Sequence, residues 1–204
     1  MILTGKLGKN GKMHVYADDE YILSVTPEFW YSQGISNGSD IDDESYESFL
    51  ADAKVNFLYE KALNLLSFRD HSAKELEDKL SRFESREFAK SAVEKVRSLG
   101  LLNDEAFAQK YANELRDRKN FSNKRIFIEL IQKGIDRDTA DRVASSFDDE
   151  SERLESLIER KYSNALKDEK SKRRAFNALL RLGYSYSDIK SAFNLVESDA
   201  EEFY

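Results

Sequence analysis

Cysteine is absent from the 204 residues, proline occurs once, histidine twice and glycine eight times. Without cysteine there is no disulfide framework, thiol nucleophile or thiolate metal site, and the composition suits a reducing cytoplasm. No stretch approaches the roughly 18 consecutive apolar residues that a membrane helix needs. The opening MILTGKLGKNGK also lacks the long apolar segment of an export signal. The expectation is a soluble cytoplasmic protein with no membrane partner. Beyond Pro27 no proline interrupts the chain, which leaves it free to run as helices.

With 40% hydrophobic and 35% charged residues, the chain carries enough apolar material to fold without metal or crosslink. A chain of this length forms one or two small domains and buries roughly 70% of its unfolded surface. The net charge of −7 sits entirely in the first 60 residues, which hold 4 Lys and 11 acidic groups. The remainder is neutral but uneven: residues 110–133 balance to +4 and residues 160–181 to +6. Because phosphate binding depends on local cations and counterion release, the acidic total does not exclude a nucleic-acid partner.

Met13, Val15 and Ala17 alternate with polar neighbours ahead of Asp18-Asp19-Glu20, and Tyr21–Val25 is again apolar, a hairpin pattern. Asn10-Gly11 marks a second tight turn, and Pro27 opens a short helix containing Phe29 and Trp30. Residues Gly34–Asp43 read as a loop and domain boundary. From residue 46 onward the spacing is helical: Val55, Leu58, Ala62, Leu65 and Leu66 form one stripe, and Leu76, Leu80 and Phe83 the next. Ser72 with Glu75 has the spacing of a capping box; Asn103, Ser122 and Asp136 stand at later helix starts. Gly100, Gly134 and Gly183 stand at helix ends that turn left-handed.

A repeat of about fifty residues underlies this pattern. Ser72-Ala73-Lys74-Glu75-Leu76 with Leu80 is echoed by Ser122-Asn123-Lys124-Arg125-Ile126 with Leu130, and by Ser171-Lys172-Arg173-Arg174-Ala175 with Leu179. Gly134-Ile135-Asp136 with Val143 is echoed by Gly183-Tyr184-Ser185 with Ala192. The first copy has Glu84 where the second has Gly134, so its middle helix ends by another turn. The fold class expected is mainly α: three tandem three-helix units, stacked into an elongated body and preceded by a small β-hairpin unit. The divisions are 1–45 for the β unit, 46–102 for a leading helix and the first triplet, 103–147 for the second, and 148–204 for the third with an acidic tail.

No constellation reads as an active site. His71 precedes the capping Ser72, where an exposed or loosely packed ring is the ordinary explanation, and neither it nor His14 has a second ligand at zinc spacing. The glycines at 5, 8 and 11 do not match a phosphate loop, since Asn10 and Met13 occupy the places of its second Gly and its Ser or Thr. Asp148-Asp149-Glu150 reads as a helix start rather than a cation site. No cofactor or metal is expected. What remains is basic: Arg116, Arg118 and Lys119, then Lys124 and Arg125, flank Asn120-Phe121, and Lys172, Arg173 and Arg174 begin the matching helix of the third copy. Each alone is ordinary on a solvated face; recurring at the same element they read as a surface for phosphates or acidic protein, with Phe121 available for packing or stacking.

The strings ALNLLSFRDHSAKELEDKL (62–80) and LLNDEAFAQKYANELRDRKNFSNKRIFIELIQKGI (101–135) resemble the RecX family of bacterial regulatory proteins. The likeness rests on Arg69 before His71-Ser72, Glu75-Leu76, Asn103-Asp104 with Phe107, Ala108 and Tyr111, and Lys133-Gly134-Ile135; it covers about residues 57–196. It implies a non-enzymatic modulator of the RecA recombinase, built from three-helix units. Such a protein lies in the groove of the RecA filament on single-stranded DNA and restrains filament growth, ATP hydrolysis and strand exchange. On that basis the partners are RecA and, through the filament, single-stranded DNA, with the chain a monomer. Two rivals stay open: a stand-alone DNA-binding protein of helix-turn-helix type, and a helical adaptor for another protein.

Overall fold

The computed structural model describes residues 1–163 and 168–202, with side chains described to residue 196 apart from the same gap. The chain divides into two compact units, Met1–Asn103 and Asp104–Tyr204.

The first unit opens with three antiparallel strands, β1 (Ile2–Leu7), β2 (Met13–Ala17) and β3 (Glu20–Val25). The alternation in β2 faces its apolar residues inward, so Met13, Val15 and Ala17 are buried. Asp18 and Asp19 both take positive φ, at 47° and 66°, as a tight two-residue hairpin turn requires. Gly11, also at positive φ, turns β1 into β2. Helix α1 (Pro27–Ser32) begins as expected, with Pro in its first turn and Thr26 Oγ1 accepting from the Phe29 amide at 3.2 Å. The segment read as a loop contains a strand, β4 (Ser39–Asp40), which pairs with β1 and gives the order β3-β2-β1-β4. Two residues are too short to show alternation; their pairing is set from outside, where Asp40 and the Ile41 carbonyl accept from the Met1 amine at 2.8 and 3.0 Å.

Trp30 lies against the sheet because β1 offers Gly5 there: a Cβ on Gly5 would stand 2.7 Å from the indole. Helix α2 (Asp43–Phe68) is shared by two cores. Its Phe49 packs on Trp30 and Phe29 with centroids 5.9 Å away in each case, while Leu58 and Ala62, a few turns on, sit in the core of the first triplet. That core also holds Leu76 and Leu80 of α3 (Ala73–Leu80) and Ala92, Val93 and Val96 of α4 (Arg86–Ser98). Phe83 departs from the expected stripe. Without a glycine the chain leaves α3 through tight turns at Ser81–Phe83, and the ring swings out to half exposure beside Lys61 and Phe57.

In the second unit two triplets follow. Helices α5 (Asp104–Lys119), α6 (Asn123–Gln132) and α7 (Arg137–Ser145) enclose Leu115, Ile126, Leu130 and Val143. Helices α8 (Glu150–Tyr162), α9 (Glu169–Leu182) and α10 (Tyr186–Glu202) enclose Leu157, Ile158, Leu179 and Phe193. The repeated positions Leu76, Ile126 and Ala175, and Leu80, Leu130 and Leu179, are all buried. Ser72, Ser122 and Asp136 cap α3, α6 and α7 by accepting from amides three residues on. The third copy differs: Asp168 caps α9 by accepting from the Ser171 amide at 2.9 Å, so this helix starts before the repeat motif and Ser171 lies inside it. The acidic tail falls on side chains outside the described residues.

Candidate functional site

Arg116, Arg118 and Lys119 occupy the last turn of α5, where cations favour the negative end of the helix dipole, and Lys124 and Arg125 the first turn of α6. The five therefore surround one corner. Arg118 points outward, 81% exposed, with Glu114 Oε1 at 3.8 Å; Lys124 is also exposed; the Lys119 ammonium lies 5.7 Å from the Phe121 ring centre. Arg116 is more engaged: its Nε donates to Asp117 Oδ1 at 2.7 Å, which raises its pKa, and its guanidinium sits 4.7 Å over Phe147.

Arg125 belongs to a joint between the two triplets of this unit. Its Nη2 meets Glu129 Oε1 at 2.7 Å, and its guanidinium lies 5.5 Å from the Phe121 centre. The end of α9 comes against it: the Ser122 amide donates to the Leu182 carbonyl at 3.0 Å, and Gly183 lies so close that a Cβ there would stand 2.5 Å from both Arg125 Cβ and Ser122 Oγ. Arg153 completes the joint, with Nη1 on Asp149 Oδ1 at 2.9 Å and Nη2 on Asn123 Oδ1 at 3.0 Å. Asn123 in turn donates from Nδ2 to the Phe147 carbonyl at 2.7 Å and from its amide to Glu150 Oε1 at 3.2 Å. Burial raises the Tyr184 hydroxyl pKa here, and the nearby Arg153 charge opposes the shift. The acids at 148–150 thus do start α8, and Asp149 and Glu150 also hold the joint.

Lys172, Arg173 and Arg174 sit in the second turn of α9 because that helix begins early. Ten residues separate Lys172 from Leu182, about 15 Å along a helix. The structure therefore does not merge the two clusters, although they descend from the same repeat position. Lys172 and Arg173 line an open groove of about 810 Å³ between α9 and α10.

Two groups of side chains escaped the sequence reading. Arg153 and Arg160 of α8 line a second hollow of about 230 Å³ with Arg116, and Arg160 Nη2 donates to Asn120 Oδ1 at 3.4 Å. Arg160 lies inside the basic stretch at 160–181, a signal that was present. Phe176, Tyr186 and Lys190 reach the first groove from positions where the repeat gave no shared pattern. His71 also differs from expectation: it is buried, with Nδ1 2.9 Å from the Arg69 carbonyl and Nε2 3.0 Å from Lys79 Nζ. Among the described residues no group of three or more His, Asp or Glu stands in metal-binding array, and no helix is long and apolar enough to cross a membrane.

Comparison with known proteins matches this architecture unit by unit. Family models described as the first, second and third three-helix domains of RecX match residues 59–96, 103–143 and 148–193. The regulatory protein RecX of Clostridioides difficile (strain 630) is 30% identical over 191 residues, 90% of this chain and 88% of that protein. That of Bacillus subtilis (strain 168) is 29% identical, covering 94% of this chain and 74% of the relative. A crystal structure of a regulatory protein RecX superposes with a TM-score of 0.71 at 20% identity, over 96% of this chain and 97% of the other, a likeness of fold. RecX from Lactobacillus salivarius gives 0.61 at 26% identity, over 71% and 97%.

Proposed function

Since the chain belongs to the RecX family of regulatory proteins, we propose that it acts by binding RecA and its filament on single-stranded DNA, restraining filament growth, ATP hydrolysis and strand exchange without turning over a substrate of its own. The observation that carries this reading is the division of labour between core and surface. Each triplet closes its own apolar core, while Arg118, Lys124, Arg173 and Arg174 stay exposed near helix starts and ends. Such a surface suits acidic protein and phosphate, and it shifts the population of an assembly to the extent that it binds one of its states more tightly. Binding spread over several triplets gains affinity from many modest contacts.

The test is RecA-dependent ATP hydrolysis on single-stranded DNA with rising amounts of the protein. Hydrolysis falls as the protein approaches stoichiometry with RecA; an unchanged rate at equimolar amounts contradicts the assignment. The DNA-binding alternative draws support from the exposed cations Arg118 and Lys124 at the α5–α6 corner. It predicts tight, RecA-independent binding to duplex DNA with steep salt dependence.

A further inference from the structure

One corner of the repeat is built differently in each triplet. Arg86, Arg137 and Tyr186 are the first residues of α4, α7 and α10, and Glu77, Phe127 and Phe176 face them from α3, α6 and α9. In the first triplet the corner is an ion pair, Arg86 Nε to Glu77 Oε1 at 2.6 Å. In the second the Arg137 guanidinium covers the Phe127 ring at 6.0 Å. In the third the cation is gone: Tyr186 tilts at 57° against Phe176, centroids 4.8 Å apart, and stays 65% exposed. Behind them Phe193 stands where the other copies have Val93 and Ala144, nearly parallel to Phe176 at 6.3 Å.

Charge changes at the same place. Lys190 stands where the second copy has Asp141 and the first Lys90, and with Lys170, Lys172 and Arg173 it rings the aromatic cluster; Glu169 is the acid on the rim. Phe193 is buried and fills the floor, and Phe176 lies between it and Tyr186, so the groove presents the Tyr186 ring to solvent rather than a deep apolar hole. A peptide anchor needs the hole, whereas a base needs only a face on which to stack, with cations spaced for its phosphates.

We propose that the α9–α10 groove binds single-stranded nucleic acid directly, Tyr186 stacking on an unpaired base while Lys172, Arg173 and Lys190 hold the flanking phosphates. Inside a duplex both faces of a base are covered by its stacked neighbours, so stacking on Tyr186 selects an unpaired base. This deepens the reading above and rests on it for the strand's presence beside the protein; the contact itself needs no recombinase.

The experiment is fluorescence anisotropy of the full chain with a labelled oligothymidylate of about twelve nucleotides, a length within the usual single-strand site sizes, in the absence of RecA. The expected result is binding whose logarithm falls with log salt at a slope of about −2 to −3, as three or four phosphate contacts give. Tyr186→Ala weakens it about five- to a hundredfold with unchanged circular dichroism, and Tyr186→Phe retains it. Lys190→Glu weakens it and flattens the slope. Arg137→Ala, the matching corner of the second triplet, leaves affinity within about twofold. Three outcomes overturn the proposal: no binding at roughly 50 mM salt, wild-type binding by both Tyr186→Ala and Lys190→Glu, or Tyr186-dependent preference for a glutamate-rich peptide over the oligonucleotide. Oligonucleotide binding with no effect on RecA hydrolysis sinks only the earlier reading; restrained hydrolysis without oligonucleotide binding sinks only this one.

Discussion

His71 holds the start of α3 as a neutral ring. Its Nδ1–H donates to the Arg69 carbonyl and its Nε2 accepts from Lys79, an arrangement that a protonated ring cannot keep. Burial lowers its pKa, the Arg69 and Lys79 charges add to the shift, and the Arg69 carbonyl opposes it. The folded value thus lies below the unfolded value of about 6.5. In the window between them the unfolded chain binds more protons, so stability is full above pH 6.5 and declines as pH falls through the folded value. Urea midpoints between pH 5 and 7.5 should show this decline in the wild type and a flatter profile in His71→Asn; parallel profiles would contradict the assignment. In the sequence this histidine reads as an exposed or loosely packed ring, because it stands just ahead of the capping Ser72 at a helix start. Its burial follows from the chain folding back between α2 and α3, which no local pattern encodes.

Among the helices, what was legible was what each segment states about itself. Ser72, Ser122 and Asp136 cap where they were expected to, and Gly100, Gly134 and Gly183 all take positive φ. Less visible were β4, which exists through its pairing with β1; Phe83, which turns outward because α3 ends at Leu80; and the early start of α9, which Asp168 caps. Gly183 separates local from tertiary effects. Gly100 and Gly183 both have positive φ, 70° and 101°, but a Cβ on Gly100 meets nothing within 4 Å, while on Gly183 it meets the α6 start. Gly100→Ala should cost about 1–2 kcal/mol for the left-handed backbone alone. Gly183→Ala should cost about 1–3 kcal/mol more, because Ser122 and Arg125 must give way. Equal losses in chemical denaturation would show that the joint around Arg153 is looser than these distances imply.

Over the whole molecule, the acidic groups that set the net charge belong to the first 60 residues, while the cations at α5–α6 and α9 belong to triplets that balance to neutrality. Total charge was therefore a poor guide to the local sign of the surface, and the repeat a good guide to the fold. The site was less legible than the fold because a repeated basic segment has different fates in each copy: Arg125 is held within a joint, whereas Arg173 and Arg174 face solvent. If binding is distributed, single changes such as Arg118→Ala or Lys124→Ala each weaken filament binding by about 1 kcal/mol, and the triple change with Lys119→Ala by several. Titration against RecA filaments checks this; one residue carrying the whole loss would contradict a distributed surface. The most direct measurement is a crosslinking map of the chain on active RecA filaments, with photoreactive residues placed at Lys124 and Arg174. The account predicts crosslinks from Lys124 to RecA protomers and from Arg174 to RecA or to the bound strand; no crosslink from either position to the filament would contradict it.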